Sequence, residues 1–263
     1  MKKDAIIFCA AGIPIHHYEK EYDKDNHWRF TKDHRQYETA VYMYKDYDIE
    51  SNSYDYLVRD IKGFKWQIAY KFLKEFDFSN YEYVAFFDDD VITDIQSINR
   101  AINIAKERDF KIFQLSTVDG SEHTHQVLFQ NKSLITSTTN FVEGMGPFFH
   151  VSLIPSLLEF WKFHEVKSGY GFDLLYTEIT NSKAGVIHEV SMFHPPKSFY
   201  GYVPKYYDNS EAENEMYHIL VNVYPKFMKA VYNKDTGPFD RRYIVYNYEY
   251  VNPDQNVFYY RTS

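Results

Sequence analysis

A chain of 263 residues with 44% hydrophobic composition is long enough for one large α/β domain or two small ones, and it carries the apolar side chains of a packed core, which excludes a disordered chain. Its 29 basic and 37 acidic residues leave a formal charge of -8, so the broad cationic surface that grips a phosphate backbone is missing and nucleic acid is not an expected partner. The single cysteine, Cys9, lies in an apolar run, so no disulfide framework is available and a reducing, cytoplasmic location is expected.

The first residues, MKKDAIIFCAAGIPI, set two lysines before an apolar stretch as a secretory signal does, but Asp4 interrupts the stretch and it is short. Residues 5 to 10 are read instead as a buried first strand that ends in a loop at Ala11-Gly12. Ala10, Ala11 and Gly12 are small enough to let backbone approach a base or ribose there, without the G-x-G-x-x-G of dinucleotide sites. No window approaches the roughly 20 apolar residues that span a bilayer, so no transmembrane segment is expected. Residues 16 to 35 are polar, charged and aperiodic, as in a loop that closes over a site.

TAVYMYKDY (39 to 47) reads as a second strand, and FKWQIAYKFLKEF (64 to 76) spaces Phe64, Ile68, Phe72 and Phe76 along one helical face. YVAFF (83 to 87) is the bounded apolar run of a central strand buried on both sides, and it runs straight into Asp88, Asp89 and Asp90. Thr93 or Asp94 can then cap a helix with Ile95, Ile98, Ile102 and Ala105 on one side. Further strands are expected at FKIFQLS (110 to 116), HTHQVLFQ (123 to 130) and LITSTTNFV (134 to 142). SLIPSLLEFWKFHEV (152 to 166) reads as a helix with Pro155 in its first turn, and GVIHEVSMFHPP (185 to 196) as a strand closed by two prolines. Beyond residue 200 comes a Tyr-rich appendage, a helix around 210 to 231 and then strand-like RRYIVYNYEYV. The chain's 26 tyrosines and 22 phenylalanines stack well on sugar faces, but strands and cores use them equally, so composition does not choose between the two. With no repeat or low-complexity linker, the expected organisation is an α/β domain over residues 1 to 200 and an extension over 201 to 263 packed on it.

Three adjacent carboxylates repel one another and gain nothing from burial, so a cation belongs with them. The Asp-x-Asp spacing of Asp88 and Asp90 lets two carboxylates reach one divalent ion, and hard oxygens suit Mg2+ or Mn2+. Their place, at the carboxyl end of a central strand, is where open α/β sheets bind ligands. Haloacid-dehalogenase-type phosphatases carry Asp-x-Asp-x-Thr near the N-terminus, whereas Ile92 stands at the threonine position here and the acids lie a third of the way along. GT-A glycosyltransferases place an Asp-x-Asp after a buried strand, within their nucleotide-binding half.

In order, KGFKWQIAYKFL, YEYVAFFDDDV, TNFVEGMGPFF, SGYGFD and GVIHEVSMFH resemble the blocks of a family labelled "lysine ketoglutarate reductase trans-splicing related", over roughly residues 62 to 200. Departures are Asp89 where that family tends to have Glu, GYGFD for G-W-G-L-D, and Gly144 and Gly146 where bulkier residues are usual. The resemblance implies a GT-A-like (Rossmann-like) mixed sheet flanked by helices, with a metal-dependent transfer of sugar from a nucleotide-sugar, most simply a UDP-sugar, to a glycan or other hydroxyl acceptor.

It also implies residue roles. Asp90 is the first choice as a ligand of Mn2+ or Mg2+; Asp88 completes the metal shell or faces the ribose, and Asp89 is turned away or lies among the nucleotide-sugar contacts. His194 is the third ligand, with His188 its competitor. Lys62 and Lys65, with Ala10, Ala11 and Gly12, fall on the nucleotide side, where a lysine offsets diphosphate charge. Asp173, on a Gly-bounded turn, is the expected general base of an inverting reaction, or else the N-cap of LLYTEI. Glu143 would bind acceptor hydroxyls or stand as an edge-strand carboxylate. The alternatives are a nucleotide- or glycan-binding protein of this fold without turnover, and a metal-dependent phosphoesterase.

Overall fold

The computed structural model describes residues 3–12, 27–29, 32–45, 54–122, 125–196, 209–240 and 242–251. Nine strands form one sheet: β1 (Lys3–Ala11), β2 (Tyr37–Met43), β3 (Tyr56–Val58), β4 (Tyr81–Asp88), β5 (Ile112–Thr117), β6 (Leu134–Thr139), β7 (Phe148–His150), β8 (Ala184–Met192) and β9 (Val245–Tyr250). Their spatial order is β3-β2-β1-β4-β7-β5-β8-β6-β9. β1 lies parallel to both β2 and β4, and β5 is parallel to β8. The short β7 wedges in antiparallel between β4 and β5, and β6 runs antiparallel to both β8 and β9. The carboxyl ends of β1, β4, β5 and β8 therefore share one edge of the sheet.

Alternate residues of the central strands serve two cores, which is why the strands read as continuous apolar runs. Ile6, Phe8, Val84 and Phe86 face one side, where α1 (Lys65–Glu75), α3 (Ile154–Trp161) and α4 (Tyr176–Thr180) cover them. Ile7, Cys9, Ala85 and Phe87 face the other, covered by α2 (Ile95–Glu107) through Ile95, Ile98 and Ile102. Asp94 caps α2, accepting a hydrogen bond from the Ser97 N–H at 2.7 Å.

The extension joins the first of these cores. α5 (Asn209–His218), a π-helical turn over Ile219–Val223 and α6 (Tyr224–Tyr232) form one continuous rod, and Ile219, Leu220, Val223 and Phe227 are buried with Phe160, Phe172 and Leu175. No helix among the described residues is long and apolar enough to cross a membrane.

Three expectations change. Among the described residues 125–130, HTHQVLFQ forms no strand: Gln126–Leu128 is a 3-10 turn that buries Leu128, and Phe129 makes a single bridge, to Thr117. Its apolar residues are consecutive rather than alternating, so they fit a turn that drops one side chain inward. The helix expected over 152 to 166 stops at Trp161. β7 was not expected, because three residues carry no period.

Candidate functional site

The acid triplet occupies the turn that leaves β4. The Asp88 N–H donates to the Met145 carbonyl at 2.9 Å and the Asp88 carbonyl accepts from the Val91 N–H at 3.3 Å, so the chain reverses tightly and splays the three carboxylates. Asp89 turns toward the end of β1, where it accepts the Gly12 N–H at 2.6 Å. Ala10 pairs in register with Asp88, and Ala10 and Ala11 are buried in the same strand. A Cβ at Gly12 would lie 1.9 Å from the far end of the Tyr44 ring, so a larger residue there needs that ring to move.

His194 arrives from the other half of the chain. Phe193 and Ile92 exchange two backbone hydrogen bonds at 2.8 Å, and the Thr93 hydroxyl donates to the Ser191 carbonyl at 3.0 Å. These contacts dock the end of β8 onto the segment that follows the acids. The Glu122 carbonyl, which can only accept, lies 3.0 Å from His194 Nδ1, so Nδ1 carries a proton and Nε2 faces Asp90 Oδ1 at 3.3 Å. Asp88, Asp90 and His194 each offer a ligand atom, and all of these lie within 4.8 Å of one another.

Lys65, at the first turn of α1, closes the other side. Its ammonium sits 2.6 Å from Asp88 Oδ1 and donates to the Gly144 carbonyl at 2.6 Å and the Phe86 carbonyl at 3.1 Å. Lys62, by contrast, is exposed.

The charges are strongly interdependent. Burial pushes the Asp88 carboxyl up, with Asp90 adding repulsion against the pull of Lys65. Burial also works against Asp90, but the His194 imidazolium outweighs it and holds that carboxyl below its usual range. Burial by itself would lower His194, yet Asp90, Asp88 and the Glu122 carbonyl hold it up at about 10. The pocket thus gathers two carboxylates that neutralise themselves with the nearest cations, and two hard oxygens beside an imidazole nitrogen fit a divalent ion such as Mn2+ or Mg2+.

The remaining candidates lie on the α1 side. Asp173 opens a 3-10 turn (Asp173–Leu175), and its Oδ1 accepts the Leu174 N–H at 2.9 Å. The turn before it is tight: Gly169 and Gly171 have φ of +85° and +82°. A Cβ at Gly169 would strike Trp66 Nε1 at 2.1 Å. Glu143 is buried, with its N–H donating to Gln114 Oε1 at 2.7 Å. Its neighbour Gly144 is the residue whose carbonyl Lys65 holds. His188, the alternative ligand, is not with the acids: it is buried between Ser137 Oγ, 2.9 Å from its Nε2, and the Asn131 N–H, 3.3 Å from its Nδ1. Burial pushes its imidazole down to about 4.

Three groups carry no signal in the sequence. The Tyr176 hydroxyl and Gln114 Nε2 are buried atoms without a hydrogen-bond partner among the described residues. Burial, then the charges of Asp173 and Asp88, push the Tyr176 phenol well above its ordinary range, so this ring stands in the field of both acids. Arg29 is buried with its Nη1 3.7 Å from Cys9 Sγ. Burial nonetheless pushes the Cys9 thiol up to about 12, which rules out a thiolate nucleophile at neutral pH. Of the loop expected to close over the site, residues 27–29 and 32–35 are described and the rest lie outside the described residues. Trp28 Nε1 donates to the Val91 carbonyl at 2.8 Å, directly behind the acids.

No protein-family model matches the chain, and no curated protein matches it by sequence. Solved structures do. S. aureus TarS 1-349 in complex with UDP-GlcNAc aligns with a TM-score of 0.50 and 11% identity over 88% of this chain and 73% of that one. TarS 1-349 alone aligns at 0.47 and 10%, over 87% and 73%. The 4-diphosphocytidyl-2C-methyl-D-erythritol synthase of Anaerococcus prevotii aligns at 0.45 and 15%, over 83% and 96%. The architecture is GT-A-like: a mixed central sheet flanked by helices, with its acid triplet at the carboxyl end of a central strand.

Proposed function

We propose that the protein is a divalent-metal-dependent glycosyltransferase that takes a sugar from a nucleotide-sugar, most simply a UDP-sugar, and delivers it to a glycan or other hydroxyl acceptor. The observation that carries this reading is the convergence of Asp88, Asp90 and His194 at the end of the central strand of a GT-A-like sheet. The neighbour TarS 1-349, whose structure holds UDP-GlcNAc, supports the choice of donor. The ordered sequence blocks that resemble the trans-splicing-related family point the same way.

Asp90 and His194 would hold Mn2+ or Mg2+, with Asp88 completing the shell or meeting the ribose. A metal there supplies Lewis-acid stabilisation of the negative charge that builds on the leaving diphosphate. Lys65 offsets part of the carboxylate charge that a diphosphate would otherwise meet, and Lys62 offers a second cation nearby in the chain. Ala10, Ala11 and Gly12 form a low wall for base or ribose, braced by Asp89. Asp173 serves as the general base that takes the acceptor's proton, making the reaction inverting, and Glu143 binds acceptor hydroxyls. Residues 209–240 and 242–251 act as part of the same folded unit, and the single buried cysteine fits a reducing cytoplasm.

A hydroxyl is a weak nucleophile at neutral pH, and a positioned base contributes about 10²–10⁴-fold. Asp173→Asn is therefore expected to lower turnover by roughly that factor with nucleotide and metal affinity unchanged. The test begins with a thermal-shift screen of nucleoside diphosphates and UDP-sugars with Mn2+, then follows the stereochemistry of the product. A near-normal rate in Asp173→Asn, or retained anomeric configuration, moves the role to Glu143. Release of inorganic phosphate without sugar transfer selects the phosphoesterase reading.

A further inference from the structure

The turn that presents Asp173 is held from outside the α/β domain. Glu215, on α5, is only 11% exposed at its side chain. Its carboxylate accepts the Lys167 N–H at 2.7 Å, the Ser168 N–H at 2.8 Å and the Ser168 hydroxyl at 2.5 Å. His164 Nε2 lies 3.3 Å away on the same carboxylate.

The rest of the turn is wedged. A Cβ on Gly171 would come within 2.9 Å of Met216 Cγ and 3.1 Å of Met216 Cα, so α5 rests directly on this backbone. On the opposite side Trp66 presses on Gly169. The other backbone donors are used locally: Tyr170 N–H to Ser168 Oγ at 3.1 Å, and Phe172 and Asp173 N–H to the Gly169 carbonyl at 3.1 and 3.4 Å. The Lys167 and Ser168 N–H groups and the Ser168 hydroxyl reach out of the turn, and all three end on Glu215. Two consecutive N–H groups and a hydroxyl converging on one carboxylate form a charge-assisted anchor, and such bonds are about twice as strong as neutral ones.

We propose that Glu215 is a positioning residue for the transfer reaction: the C-terminal extension clamps the 167–171 turn, and through it sets where Asp173 meets the acceptor. The proposal rests on the reading of Asp173 as the base. It gives the extension a task in the transfer, holding from one side a turn against which Trp66 of α1 packs.

The experiment compares wild type, Glu215→Ala and Glu215→Gln by hydrogen exchange and by steady-state kinetics with a UDP-sugar and Mn2+. In Glu215→Ala, exchange over residues 167–173 is expected to quicken about tenfold or more while β1 and β4 stay protected. kcat is expected to fall about tenfold or more at a donor KM within about twofold of wild type. Glu215→Gln keeps an amide oxygen as acceptor and should recover part of both losses; it also carries the test if the alanine variant does not fold. Unchanged exchange in the turn overturns the clamp, as does a loss of kcat matched by an equal loss of nucleotide affinity. Quickened exchange with unchanged kcat overturns the positioning role, and Asp173→Asn measured alongside tells that failure from a failure of Asp173 as the base.

Discussion

Tyr176 is fully buried, its ring 4.9 Å from Phe149 and 5.0 Å from Phe172, and its hydroxyl has no hydrogen-bond partner among the described residues. An unsatisfied buried hydroxyl costs about 1–3 kcal/mol. Tyr176→Phe is therefore expected to leave stability unchanged or raise it by up to about 2 kcal/mol in urea unfolding. A loss of more than about 1 kcal/mol would mean that the hydroxyl is satisfied in the folded protein. Gly12 makes the opposite case, because a methyl group there meets the Tyr44 ring at 1.9 Å. Overpacking of this kind costs about 1–3 kcal/mol, so Gly12→Ala should destabilise by that amount and weaken nucleotide binding. Equal stability and affinity in that variant would show that the ring swings aside freely. Asp88 and Asp90 stood out in the sequence because three adjacent acids at a strand end call for a cation, whereas His194 came only from the family resemblance. Tyr176 and Gln114 look like any core residues, since whether a buried polar atom finds a partner depends on packing from four or five segments.

Among the elements, α5 carries the clearest electrostatic signature. Burial by itself raises the Glu215 carboxyl, but His164, Ser168 and the two backbone N–H groups outweigh it and hold it down at about 2, against an ordinary 4.5. A carboxyl depressed on folding stabilises the native state above its unfolded value, and that contribution is lost as pH falls from about 4.5 toward about 2. At neutral pH, after discounting for solvent screening of this half-buried carboxylate, it is worth on the order of 1–2 kcal/mol. Glu215→Gln should therefore be less stable than wild type at pH 7 by up to that amount, with the gap closing steadily below pH 4.5. A gap that is constant from pH 7 to pH 3 would assign the loss to packing instead. The long elements were legible: β1, β4, β5, β8, α1 and α2 all follow from apolar runs or a helical stripe. β7 was not, because Phe148–His150 is too short for a period and pairs only because β4 and β5 stand apart at that point. The segment 123 to 130 misled because its consecutive apolar residues mimic a buried strand, while Leu128 is fully buried in the core and Val127 packs partly against it.

For the whole molecule, one sheet with a core on each face brings together residues that lie more than a hundred positions apart, as His194 and Asp90 do. The sequence could order the blocks, but only the pairing of Ile92 with Phe193 shows how the late histidine reaches the acids. The role of the extension was out of reach, because Glu215 acts on backbone N–H groups that leave no trace in residue types. The central claim is that the Asp88, Asp90 and His194 cluster holds a divalent ion that makes the site bind a nucleoside diphosphate. Calorimetric titration of UDP into the protein, with Mn2+ and again with EDTA, tests it most directly. The account predicts binding at least about tenfold tighter with Mn2+ and an Asp90→Ala variant that behaves in Mn2+ as wild type does in EDTA. Equal affinity in the two conditions, or an Asp90→Ala variant that binds as wild type does, would contradict it.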